Sequence, residues 1–247
     1  MPLAEIGDEA ILLAGGGRAI LLQLANPAVG HAVADHSNFA ADPLRRLRNT
    51  LTFVYALVYG TEGQKARMTA MVNAAHASVR SPEYDAADAR LQLWVAATLY
   101  DTAIRIHERV FGPLDGAEAE GVYREYAIVG TALGMPAELW PADRAAFRVY
   151  WDATLVTLTV DDTVRGVARQ LLQPTTGPAW MRAAMPIARL ATAGLLTAEL
   201  RQAYGLPWGT RRERRYERLM TLTAAVYPRM PLRLRHWPRD HYLARLG

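Results

Sequence analysis

The chain contains no cysteine. That excludes disulfides, iron–sulfur clusters, zinc fingers, thiolate-ligated or covalently attached haem, and a cysteine nucleophile. It has a single lysine, Lys65, against 27 arginines. A net charge of +4 over 247 residues is too dilute to call for nucleic acid as a partner. Nor is there a long apolar run. The longest charge-free stretch, 19–34, covers 16 residues and is interrupted by Gln23, Asn26, Pro27, Gly30 and His31. A membrane span needs about 20 mainly apolar residues. The opening residues carry Glu5, Asp8 and Glu9 where a signal peptide requires a basic stretch. A cytoplasmic protein with no membrane span is expected.

Several catalytic signatures are missing as well. The residues three before the six histidines are Ala28, Val33, Asn73, Ile104, Arg233 and Pro238. None is glutamate, so the Glu-x-x-His pairs of ferritin-like di-iron sites do not occur. His107-Glu108 opens like a zinc-protease helix, but Phe111 stands where the second histidine belongs. There is no Gly-x-Ser-x-Gly elbow and no P-loop. Gly15-Gly16-Gly17 lacks the spacing and the preceding strand of a phosphate cradle, and reads as a helix break. Asp161-Asp162 is followed three positions on by Arg165 rather than by a third carboxylate, so it reads as a cap or a local ion pair.

What is present is a helical pattern nearly throughout. About half the residues are apolar, enough for a sizeable core. Helices are expected at 18–25, at 43–59 behind an Asp42 cap, at 61–80 behind Thr61, and at 88–111 up to Gly112-Pro113. Others follow near 115–133, 143–172 with a break, 185–204 and 210–227, and a proline-punctuated tail at 228–247 wraps the surface. No repeat or linker divides the chain, so residues 1–247 read as one all-α globular domain.

Within the 43–59 helix, Leu44, Leu47, Leu51, Val54 and Val58 make an apolar stripe. Arg46 and Thr50 share another face, flanked by Asn49 and Phe53. This face is either solvated or a polar site whose groups need partners if buried. His76 lies in an alanine-rich helix with Val72 and Val79 on its side. Small neighbours leave room for something flat, so it is either a satisfied core histidine or a ligand. His36 follows Asp35 at a helix end, beyond His31, and reads as a group bonded to the last carbonyls or as a proton carrier. Asp101 ends an apolar stretch and is a candidate partner for an arginine. The run 211–218 alternates arginine with Glu213 and Glu217 and reads as a solvated, salt-bridged helix face.

Taken in order, 18–29, 35–39, 42–50, 72–79, 93–99 and 231–238 resemble the DUF2236 family, which includes the latex clearing protein (rubber oxygenase) and the MpaB-type oxygenases. The resemblance covers roughly 10–245. It implies a globin-like all-α core holding non-covalent haem b. It implies His76 as the proximal iron ligand and Arg46 and Thr50 on the distal side. Asn49 and Phe53 complete the cofactor-binding set, and His36 is a candidate proton shuttle. The sequence departs from the rubber oxygenase at Asn49, where that enzyme has a lysine able to reach the iron. The expected activity is a haem-dependent oxygenase or related oxidoreductase, using dioxygen or peroxide on a small apolar substrate. A haem carrier or sensor, and a metal-free helical ligand-binding protein or enzyme, are the alternatives.

Overall fold

The computed structural model describes residues 1–36 and 43–246, those at 43–47 by backbone only. The chain opens with α1 (Leu3–Gly7) and a 3-10 segment (Ala10–Gly15). Next come α2 (Gly16–Leu24), α3 (Pro27–His36), α4 (Pro43–Tyr59), α5 (Glu62–Ala77) and α6 (Ala89–Phe111). Then follow α7 (Gly116–Tyr126), α8 (Ile128–Thr131), α9 (Arg144–Leu155), α10 (Asp162–Leu172) and α11 (Ala179–Leu195). The chain closes with α12 (Ala198–Ala203), α13 (Thr210–Val226), α14 (Leu232–Arg235) and α15 (Trp237–Leu243). Among the described residues no strand forms, and the domain is all-helical as expected.

Helix α6 is the axis of the fold. Asp88 caps it, accepting from the Arg90 and Leu91 amides at 2.7 and 3.1 Å. Gly112, at φ 96°, ends it in a conformation other residues adopt only with strain. Between these ends Leu93, Trp94, Ala97, Tyr100, Ile104 and Ile106 are all buried, and they face in several directions. A helix apolar all round must be covered all round. Helix α2, the first 3-10 segment, α8 and α13 pack against it. On one side, Tyr100, Tyr123, Trp140 and Phe147 form a chain of ring contacts at centroid distances of 5.0–6.1 Å.

The α2–α6 interface is apolar with a polar seam. Arg18, with 3% of its side chain exposed, pairs with Asp101 at 2.6 Å. It also donates to the Thr102 hydroxyl at 2.6 Å and to the Leu195 carbonyl at 2.9 Å. Arg18 is thus the arginine that Asp101 calls for. Burial lowers the pKa of its guanidinium, and the Asp101 charge opposes that. Gln23 donates to Thr98 at 3.0 Å, and the Trp94 indole to the Leu22 carbonyl at 3.1 Å. Buried polar groups are tolerable here because each finds a partner.

Some expectations are corrected. The three glycines do not break a helix: the 3-10 segment runs directly into α2 at Gly16. Their role is close approach. A Cβ on Gly15 would collide with Ile106 and Thr102, and one on Gly17 with Thr192 of α11. The helix expected to start at 185 starts at 179, behind Pro178, and carries Pro186 inside it. The helix expected over 115–133 is interrupted at Ala127. The break expected within 143–172 falls between Leu155 and Asp162.

The tail does more than wrap the surface. Arg235 pairs with Glu9, a buried carboxylate, and Arg239 pairs with Asp8 at 2.8 Å. Tyr242 stacks on Tyr55 of α4 at 5.9 Å. Buried Leu246 joins Phe53, Leu57 and Met68 in one apolar cluster. The last residues therefore hold the N-terminus and the α4–α5 pair together.

Candidate functional site

Helices α4 and α5 form a hairpin. Gly60 ends α4, its amide donating to the Ala56 carbonyl at 2.8 Å. Thr61 starts α5 through a reciprocal capping box with Gln64: the Gln64 amide donates to the Thr61 hydroxyl at 3.3 Å. The Thr61 amide donates to the Gln64 side chain at 2.9 Å. So short a link between packed helices makes them antiparallel.

The hairpin is anchored near its turn. Phe53, Ala56 and Leu57 of α4 cluster with Met68 of α5, and Val54 and Val72 pack at the edge of that cluster. From Phe53 the helical repeat leads back to Thr50 and Arg46 on one face. From Met68 it leads on to Val72 and His76 on the facing side. Each path covers about two turns, or roughly 11–12 Å. The register therefore brings position 46 of α4 level with His76 of α5.

Burial falls off along the hairpin. Phe53 is buried, Thr50 is half-buried, and Asn49 is exposed. On α5 the sole buried side chain is Met68. Met71, Ala74 and Ala75 are exposed, and His76 is half-buried in the last turn. The open end of the hairpin thus offers a small-residue surface with one imidazole on it. The Arg46 side chain, like the expected Asp42 cap, lies outside the described residues.

Helix α5 ends at Ala77, three residues short of the expectation, because the chain turns back on itself. Arg80 pairs with Asp85 at 3.2 Å, and the Ala86 amide donates to the Val79 carbonyl at 3.0 Å. This turn presents buried Tyr84 to the end of α3. The Tyr84 hydroxyl donates to Asp35 at 2.9 Å, and its ring meets His36 edge-on at 5.6 Å. Being buried against Asp35 raises the Tyr84 pKa. His36 is exposed at the helix terminus and is brought to this turn. Sequence reading missed Tyr84, whose one signal is an aromatic ring among turn-forming residues. His31 pairs instead with Asp161 at 2.7 Å, while Asp161 caps α10 through the Val164 amide. That pair raises the His31 pKa, chiefly through the hydrogen bond. Asp162 pairs with Arg165. The two aspartates are a cap and a local ion pair, as read.

Among the described residues no three histidine or carboxylate side chains converge to hold a bare metal ion. None of their helices is long and apolar enough to cross a membrane.

Residues 3–225 match the family model described as the ER-bound oxygenase mpaB/B'/rubber oxygenase catalytic domain. An uncharacterized protein of Mycobacterium tuberculosis is 38% identical over 213 residues, covering 82% of this chain and 84% of its own. An uncharacterized protein of Mycobacterium bovis matches to the same extent. No solved structure matches.

Proposed function

Because the chain belongs to the MpaB/rubber oxygenase catalytic-domain family, we propose that it is a haem-b-dependent oxygenase or related oxidoreductase acting on a small apolar substrate, with His76 as the protein's ligand to the iron. The observation that carries this reading is the open end of the α4–α5 hairpin. There a half-buried imidazole stands in the last turn of α5, on the same side as Val72, which packs toward α4. The donor set is consistent with haem. A porphyrin brings its own equatorial nitrogens and needs one imidazole from the protein, whereas a bare ion needs three or four side chains.

When bound, haem would supply the redox-active iron at which the oxidant is activated. His76 would hold it through one ring nitrogen, the other being left to donate outward and fix the ring. Thr50 and Arg46 contribute a hydroxyl and a guanidinium from α4. These donors stabilise negative charge as it develops on the reacting oxygen. Phe53 closes the site toward the turn and excludes water, and its neighbours offer affinity to an apolar substrate with little selectivity. Asn49, being exposed, shapes the rim. His36, exposed at the end of α3, is the candidate proton shuttle. A globin-like arrangement of the core belongs to the same proposal.

The test is an absorption spectrum of protein purified after expression with a haem precursor, beside the His76→Ala variant. A Soret band in the parent and none in a variant with unchanged circular dichroism is expected. A colourless parent that also fails to take up added haemin overturns the proposal.

A further inference from the structure

A second site lies away from the hairpin. Helices α10, α11, the start of α13 and the 204–207 turn line a cleft of about 530 Å³. Four arginines line it, Arg165, Arg169, Arg189 and Arg212, and no carboxylate does. Such crowding of like charge is unfavourable unless something of opposite sign sits between.

The four are not equivalent. Arg165 is committed to structure, donating to the Ala203 and Val160 carbonyls at 2.8 and 3.0 Å and pairing with Asp162. Arg189 spends one nitrogen on the Leu172 carbonyl at 3.3 Å, tying α11 to the end of α10. The Arg169 and Arg212 side chains have no ion-pair or hydrogen-bond partner among the described residues. Arg212 stands in the first turn of α13, whose cap, Gly209, supplies no side-chain acceptor.

Between the arginines the lining is mostly apolar, with Gln173 beside it. Leu172, Leu206, Pro207 and the ring of Tyr204 form its floor. The floor is rigid: the Tyr204 hydroxyl donates to the Leu21 carbonyl at 2.6 Å, deep in the core. The surroundings reinforce the charge. Residues 179–247 hold thirteen arginines against four carboxylates, which favours encounter with anions.

We propose that this cleft binds an organic anion, an oxyanion head group on an apolar tail. Arg169 and Arg212 hold the head group in charge-assisted hydrogen bonds, and the Leu172–Leu206–Pro207 floor receives the tail. A guanidinium pair matches a carboxylate or a phosphate monoester equally well in geometry. The volume falls within the range of small-molecule sites. The inference stands independently of haem.

Calorimetric titration tests it, using decanoate, decyl phosphate, decan-1-ol and inorganic phosphate below any micelle concentration. At least one of the two amphipathic anions is expected to bind at least about ten-fold tighter than decan-1-ol or inorganic phosphate. The Arg169→Gln/Arg212→Gln double variant is expected to lose at least about ten-fold in affinity, since two charge-assisted contacts go. Arg215→Gln, an exposed change on α13 outside the cleft, is expected to leave binding unchanged. Binding of decanoate alone, or of decyl phosphate alone, assigns the head group. Failure of both anions to bind overturns the proposal. So do equal affinity for decan-1-ol, an unaffected double variant, or the same loss in Arg215→Gln.

Discussion

His107 is a buried ring on α6, 5% exposed, lying 4.9 Å from Phe111. Its Nδ1 has no hydrogen-bond partner. Burial pushes its pKa below the usual histidine value, against the opposing charge of Glu9. In the folded protein it is therefore neutral where the unfolded chain would bind a proton. Stability from this group is full above the unfolded pKa of about 6.5 and falls as the pH drops through it. Urea unfolding of His107→Phe across a pH series should show a shallower acid-side loss than the parent. Parallel profiles would mean that this ring does not titrate on unfolding. The same scale explains what could be read without coordinates. Asp101 announced a need for an arginine, because a carboxylate beside an apolar run requires one. That the partner is Arg18, over eighty positions earlier, follows from tertiary packing that no local pattern records.

Among the elements, local signals were the legible ones. The Thr61 cap, the Asp88 cap, the Gly112 stop and the hairpin that results all follow from chemistry within a few residues. The helix expected from 185 begins six residues earlier and runs through Pro186. Here the ring is exposed and the helix continues past it. The three glycines misled in another way: they serve contacts with α6 and α11, which are distant in sequence. Their roles can be separated. Gly17→Ala would drive a methyl into Thr192, 2% exposed and unable to step aside. It should destabilise by about 1–3 kcal/mol. Gly16→Ala meets nothing within 4 Å and should be neutral or stabilising by up to about 1 kcal/mol. Thermal melts of the two variants check this, and equal shifts would refute the packing role. The candidate site was legible as positions on one face of each of two helices, Thr50 and Phe53 on α4, Val72 and His76 on α5. Its open end was not, because exposure depends on what the rest of the chain leaves uncovered.

For the molecule as a whole, the ion pair between Glu9 and Arg235 joins two ends of the described chain. Both side chains are largely buried, at 6% and 14% exposure. The Arg235 guanidinium also lies 5.1 Å from the Phe111 ring. Arg235→Ala removes the guanidinium beside buried Glu9 and leaves the His236 ring 3.7 Å from it. A loss of about 3–5 kcal/mol is expected, a large share of a typical domain's stability. Replacing Glu9 and Arg235 together by methionine should cost much less, which denaturant unfolding would show. A double variant as unstable as Arg235→Ala would point to packing rather than charge.

This closure carries a timing consequence for synthesis. Glu9 leaves the ribosome 226 residues ahead of the arginine that neutralises it. At translation rates of about 5–20 residues per second, that interval is roughly 10–45 s. The opening helix, the Glu9 carboxylate and the face of α4 that receives Tyr242 must all wait through it. The nascent chain can latch only once Arg235 has emerged.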